Sequence, residues 1–293
     1  MNQLSPHQRG LAMTVVGVLV LTPDALVVRL IETDHWTLLF WRSLAAGICL
    51  FAMNGLIEKT NPFTAIGHLF RNGLLCGLMF AGSNACFVLS VTHTAAANTL
   101  VILAAMPFIA AILTVLVTRK NLPFRTWTTI VFAVAGILTV FWGRFGSGHI
   151  FGDVLAFFCA AFMAVTLVNI SVNPKINSLA AVGFGSFLAA LFALIMGADP
   201  ALPSPGNIVF LALNGIIIIP IAMALITYGP KLISAPEVSL IMLLETVLGP
   251  VWVWLVLSEQ PLRQTFIGGA LVVTAIVVNA WLGFRSKRPK VSA

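Results

Sequence analysis

Long apolar runs follow one another along almost the whole chain, at 10–30, 36–57, 70–90, 96–118, 124–142, 151–170, 178–197, 207–229, 235–257 and 264–284. A helix needs about 20 consecutive apolar residues to cross the hydrocarbon core of a bilayer. Backbone polar groups in lipid must be satisfied inside the protein, so only helices and closed barrels can span. Barrel strands would be about ten residues long with alternating polarity. These runs are longer than that and apolar all round. The sequence therefore predicts an all-α membrane protein with ten transmembrane helices.

The remaining composition fits only this class. Apolar residues make up 59% of the chain and charged residues 9%, against roughly 25% charged in soluble domains. Mean hydropathy is +1.03. Connections are short, which leaves no room for an inserted soluble domain. The first apolar run is too long for a cleavable signal and lacks a small-residue cleavage site before its flank. Cys49, Cys76, Cys86 and Cys159 fall inside predicted spans, at spacings that suit neither a zinc site nor a disulfide framework.

The net charge of +7 invites a nucleic-acid reading, but its placement argues against one. With the N-terminus in the cytoplasm and ten crossings, the inner side collects Arg9, Lys59, Arg71, Arg119, Lys120, Arg125, Lys175, Lys231, Arg285, Lys287, Arg288 and Lys290. Only Arg29, Arg42, Arg144 and Arg263 fall at or near the outer side. Basic residues held on the cytoplasmic side set the orientation of a membrane protein. The expected setting is the cell's inner, cytoplasmic membrane with both termini cytoplasmic, and no nucleic-acid partner.

The chain also repeats itself. Residues 94–143 align without a gap on 234–283, an offset of 140, matching Ala95 with Ala235, Leu100 with Leu240, Leu103 with Leu243, Leu122 with Leu262, Ala135 with Ala275 and Gly143 with Gly283. The span boundaries coincide as well. The expected organisation is a first repeat over 1–143 (helices 1–5), a second over 150–284 (helices 6–10) and a basic cytoplasmic tail at 285–293. Five spans is an odd number, so the second half enters the membrane inverted. Inverted repeats around a central site are the architecture of many secondary transporters, in which the halves exchange roles between inward-open and outward-open states.

Within the repeats, Thr94-Ala-Ala-Ala-Asn-Thr-Leu followed by Met106-Pro107, and Ser234-Ala-Pro-Glu-Val-Ser-Leu followed by Leu244-Glu245, Gly249-Pro250, Ser258-Glu259 and Ile267-Gly268-Gly269, resemble the EamA-type repeat of the drug/metabolite transporter superfamily. The resemblance covers about 10–284. Family members usually carry a Gly-Glu pair at the end of a repeat's fourth helix. Ser258-Glu259 matches it in part, whereas Arg119-Lys120 stands there in the first repeat. The resemblance implies a ten-helix carrier of small organic metabolites with both termini cytoplasmic.

A charge at the bilayer centre costs about 2.5–3.5 kcal/mol even on permissive insertion scales, so the few polar residues in the spans are the candidates for a site. Glu245 lies mid-span in helix 9; it is either a cargo or coupling carboxylate or a hydrogen-bonded structural acid. Asp24 follows Pro23, which has no N–H for the carbonyl of Leu19 and bends helix 1 there; the acid either faces a cavity or pairs with Arg29 or Arg42. Arg42 is six residues past Trp36, about 9 Å along the helix at 1.5 Å per residue. It can snorkel outward, pair with Asp24, or hold a carboxylate with its planar fork. Asn98 adds an uncharged group beside the helix carrying Pro107. Asn84, Asn169, Asn214 and Asn279 read as donors and acceptors between helices. Pro23, Pro107, Pro220 and Pro250 are expected hinges or cavity-lining breaks. Gly73-xxx-Gly77 permits close helix contact.

The chain has no Walker loop, no HExxH and no Gly-x-Ser-x-Gly, so neither direct ATP drive nor a catalytic or metal centre is expected, and no cofactor. The function expected is secondary active transport, by alternating access, of an amphiphilic small molecule such as an amino acid or amine. A structural or channel-like protein, or a carrier of organic anions bound by Arg42, is the alternative. The expected partners are that substrate and the lipid bilayer, with proton coupling and a homodimer left open.

Overall fold

The computed structural model describes residues 5–57, 73–94, 96–122, 124–141, 150–201 and 203–257, with isolated positions 267, 270, 271, 274, 275 and 278. Every regular element among them is helical. In chain order they are α1 (Pro6–Leu21), α2 (Asp24–Leu30), α3 (His35–Ile57), α4 (Leu74–His93), α5 (Ala96–Ile102), α6 (Met106–Thr118), α7 (Phe124–Phe141), α8 (Ile150–Val172), α9 (Ser178–Ile195), α10 (Pro205–Ala212), α11 (Ile219–Tyr228) and α12 (Ala235–Leu257). Seven helical segments among the described residues are long and apolar enough to cross a membrane. Helices fall on every predicted run from 10–30 to 235–257; the run 264–284 and the basic tail lie largely or wholly outside the described residues.

Local signals set the helix ends. Ser5 caps α1 in a reciprocal pair with Gln8, and Pro6 occupies the first turn, where its missing N–H costs nothing. Ser234 and Glu237 bracket the start of α12 in the same way, the Ser234 N–H and hydroxyl donating to the Glu237 carboxylate at 3.0 Å each. Asn177 caps α9 by accepting from the Ala180 N–H at 3.1 Å.

Three runs that the sequence predicts as single spans are interrupted, each next to a proline. The first breaks at Thr22-Pro23 into α1 and α2. Pro23 leaves the Leu19 carbonyl without its helical donor, and the Thr22 hydroxyl supplies one at 2.8 Å. The fourth tightens into a 3-10 turn at Leu103–Ala105, where the Met106 N–H donates to the Leu103 carbonyl that Pro107 cannot serve. The eighth widens into a π-helical stretch at Leu213–Ile218 ahead of Pro220. An unsatisfied buried carbonyl would cost about 1–3 kcal/mol, so the first two breaks are tolerated because another group fills each freed carbonyl. Helix α12, by contrast, runs unbroken through Pro250, whose side chain lies outside the described residues.

The bundle is held by packing of α4 against α8 and α9, α3 against α9, and α1 against α11 and α12. Gly77 of α4 lies against α9: a Cβ there would come within 2.9 Å of the Ala181 carbonyl oxygen. The close contact anticipated from Gly73-xxx-Gly77 is thus made by Gly77 against α9. The outer faces carry exposed apolar side chains such as Ile48, Leu116, Phe132, Phe157, Ile195 and Val209, as a surface in contact with lipid requires.

Candidate functional site

The breaks at Thr22-Pro23 and Leu103–Ala105 open onto one cavity, whose wall also takes in α3, α4, α8, α12 and the start of α11 just past the π-helical stretch. Asp24, Arg42 and Glu245 all line it, with Ser83, Asn84 and Thr246 among its other polar residues. Its empty space is about 700 Å³.

Each charged group reaches the cavity by a distinct device. The break at Pro23 makes Asp24 the first residue of a new helix, where the helix N-terminus favours a carboxylate. Arg42 sits two turns into α3 and faces inward, 3% exposed; the lipid-facing, snorkelling alternative is excluded by that burial. Its Nη2 donates to Asp24 Oδ2 at 3.2 Å. The second Asp24 oxygen accepts from Asn214 Nδ2 at 2.5 Å. Asn214 is fully buried on the π-helical stretch. A glycine follows it, and there α3 comes close: a Cβ on Gly215 would lie 2.9 Å from the Arg42 carbonyl oxygen. Breaks in two separate runs thus clamp one carboxylate, and that carboxylate orients the guanidinium.

The guanidinium is only partly used. It lies over the Phe87 ring, 5.5 Å from its centroid, a cation–π contact that helps fix its plane. Its Nε and Nη1 are buried without a hydrogen-bond partner among the described residues. Glu245 is 6% exposed, near the middle of α12. Among the described residues it makes no hydrogen bond or ion pair, but it stands within electrostatic reach of both Asp24 and Arg42. Side-chain bonds tie the walls together: Asn84 Nδ2 donates to Ser43 Oγ at 2.9 Å, Thr246 Oγ1 to the Leu100 carbonyl at 3.0 Å, and Trp252 Nε1 to Thr22 Oγ1 at 2.9 Å.

Of the residues singled out from sequence, Asp24, Arg42 and Glu245 meet here. Pro23 and Pro107 adjoin breaks in the wall, and Pro220 follows the π-helical stretch. Asn98 stands on α5, its side chain outside the described residues. The choice between Asp24–Arg29 and Asp24–Arg42 pairing falls to Arg42, while Arg29 is exposed. Sequence reading gave Asn214 no more than a role between helices. The available signal was its place in Asn214-Gly215, six residues before Pro220, in the middle of a run whose other amide, Asn207, stands at its very start. The four methionines of the cavity, Met106, Met163, Met223 and Met242, carry no recognisable spacing because they come from four different segments.

Broken apolar helices around a buried, charged cavity define a multi-pass membrane protein of the transporter class. The chain belongs to the EamA-like transporter family, within the drug/metabolite transporter superfamily: the family matches twice, at residues 9–142 and 150–281. Among solved structures, one described as "Crystal structure of protein" is similar in fold, with a TM-score of 0.77 and 17% identity over 94% of this chain and 98% of that one. No curated protein matches the sequence.

Proposed function

We propose that this protein is a secondary active transporter that carries a small amphiphilic organic metabolite across the cytoplasmic membrane by alternating access, with the Asp24–Arg42–Glu245 cavity as its cargo site. The observation that carries this reading is an arginine buried among apolar helices, paired through only one of its nitrogens, beside a carboxylate that has no ion-pair partner among the described residues. Two such groups in lipid cost several kcal/mol, a cost that structure alone does not require. The two matched halves, each with five predicted spans, support an inverted pair. Breaks at Thr22-Pro23, Leu103–Ala105 and Leu213–Ile218 give three places where a wall can bend. Orientation with both termini inside rests on the distribution of lysine and arginine.

The sequence leans toward an amine-bearing cargo because of its intramembrane acids. A second reading, an organic anion held by Arg42, is favoured by the two unused guanidinium nitrogens. The test of transport itself is uptake into liposomes that contain the purified full chain, screened with labelled amino acids, amines and organic acids. Uptake above that of protein-free liposomes for at least one compound is expected. Conductance without saturation would identify a channel instead.

A further inference from the structure

We infer that a groove between the paired helices α1–α11 and α3–α9 is a binding site for one anionic phospholipid, its phosphate on Arg9 and an acyl chain along the apolar floor. The groove lies at the helix ends expected to face the cytoplasm. It shares no lining residue with the charged cavity, and the site does not depend on the carrier reading.

Helical spacing builds the groove. Arg9, Ala12 and Met13 fall on one stripe of α1, and Ile221, Leu225 and Tyr228 on one stripe of α11. Met53, near the end of α3, and Leu179, at the start of α9, belong to the other wall. Each wall is tied within itself. Asn177 Nδ2 donates to Asn54 Oδ1 at 2.6 Å, which joins α9 to α3. A Cβ on Gly17 would come within 3.0 Å of the Ala222 carbonyl oxygen, so α1 lies directly on α11. The groove is the gap between these two pairs, and its empty space is about 1460 Å³. Ile221 and Tyr228 are seven residues apart, about 10 Å along the helix at 1.5 Å per residue. The gap therefore reaches from the helix ends to the depth of acyl chains. Ala12, Ile57, Ile221 and Tyr228 are all exposed, so its flank is open toward the bilayer.

The mouth of the groove is basic. Arg9 lines it, exposed and with no ion pair among the described residues. Lys175 is exposed three residues before Ser178, another lining residue. Lys231 Nζ lies 5.5 Å from the centre of the Tyr228 ring. Among the described residues, the one carboxylate at this end is Glu237, and it is engaged elsewhere. It accepts from Ser234 and lies 3.6 Å from His7. His7 and Arg9 are two residues apart and so project from nearly opposite sides of α1. One side of α1 thus meets the carboxylate and the other gives an arginine to the groove. Helices α1 and α9 also both start at the mouth, where helix N-termini favour an anion.

The complement of such a groove is negative at one end and apolar along the rest. A free anion would leave the floor uncovered. A zwitterionic lipid would bring its own cation to a cluster of cations. A phospholipid with a net negative headgroup meets both requirements, and basic pockets between helices on the cytoplasmic side are suited to such headgroups.

The test uses the purified full chain, delipidated in a non-ionic detergent, with lipid binding read by native mass spectrometry and by thermal midpoint. The probes are phosphatidylglycerol and phosphatidylcholine with identical acyl chains, and inorganic phosphate alone. One phosphatidylglycerol is expected to bind saturably, about fivefold or more tightly than phosphatidylcholine, the scale of one basic residue at an anionic lipid surface. Arg9→Gln is expected to bring phosphatidylglycerol down to the affinity of phosphatidylcholine. Lys120→Gln removes the same charge from an exposed position that does not line the groove, and should leave the preference intact. Ala12→Phe, which fills the groove, should weaken both lipids. Inorganic phosphate should not stabilise the protein. Equal affinity for the two lipids overturns the inference, and so does an equal loss in Arg9→Gln and Lys120→Gln, which would mark general electrostatic attraction. Stabilisation by phosphate alone, or no saturable lipid binding, overturns it too. Arg9 and Lys120 are both exposed, so their comparison decides the matter even if Ala12→Phe fails to fold.

Discussion

Asn214 and Asp24 are 190 residues apart in sequence and are joined by a 2.5 Å hydrogen bond in the core of the protein. One residue stands on a π-helical stretch and the other at the restart of a broken helix. Neither position follows from regular helix geometry. Each exists because a proline or a widened turn displaces the backbone, so two irregularities jointly fix the carboxylate that orients Arg42.

The bond makes Asn214→Ala informative. The substitution leaves one Asp24 oxygen buried without a donor, a loss of about 1–3 kcal/mol, and frees Asp24 to turn toward the unused edge of Arg42. A modest drop in thermal midpoint is expected, with a larger fall in transport of whatever cargo the liposome screen identifies. A loss of stability with transport unchanged would make Asn214 a packing residue.

The ion pair should show a marked non-additivity. Arg42→Gln strands Asp24 as an uncompensated buried charge, at a cost of about 3–5 kcal/mol. Adding Asp24→Asn removes that charge, so the double variant should be more stable than Arg42→Gln alone and still fail to transport. Thermal unfolding of both single variants and the double variant measures the coupling. Additive losses would mean that the two side chains do not depend on each other.

Glu245→Gln keeps the shape of the side chain and removes its ionisation. A monodisperse protein with a reduced initial uptake rate is expected. A purely structural Glu245 should tolerate the exchange. Wild-type uptake with an unaltered pH profile would therefore move this residue from the mechanism to the scaffold.

Membrane orientation can be read with reporter fusions. Fusions within 146–149 and 199–206 are expected to report the outer face, and fusions within 119–123 or after 285 the cytoplasm. An opposite signal at any of them would break the ten-span arrangement with both ends inside.

Where α4 meets α9, Gly77→Leu should disrupt the bundle, because backbone lies where the new side chain would begin. Poor yield or aggregation on size-exclusion chromatography is the expected outcome. Gly55, with open space around its Cβ direction, is the control: Gly55→Ala should express and elute normally.

The apolar helices among the described residues were legible in the sequence because lipid imposes one rule on every segment, about 20 apolar residues with few charges. Asp24, Arg42 and Glu245 stood out for the converse reason, as charges where that rule forbids them. The breaks were only half legible. Pro23, Pro107, Pro220 and Pro250 look alike in sequence, but helix α12 continues through Pro250 while the runs carrying the other three depart from α-helical geometry next to them. Whether the backbone departs depends on what fills the freed carbonyl, such as the hydroxyl of Thr22 at Leu19, and on tertiary neighbours that spacing does not encode. The role of Asn214 was hidden for the same reason: its partner lies near the other end of the chain.

That long separation bears on how the protein is made. Asp24 and Arg42 are 18 residues apart, so they leave the ribosome almost together and can enter the bilayer as a neutral hairpin. Asn214 follows only after nearly the whole of the intervening chain has been synthesised, about 10–40 s later at 5–20 residues per second. During that interval Asp24 has Arg42 as its partner and no amide, and the guanidinium is held by a carboxylate still free to rotate. Nascent chains stalled before residue 214 should thus be inserted and yet lack an ordered pocket, and the geometry needed to recognise cargo becomes complete only when the eighth predicted span arrives.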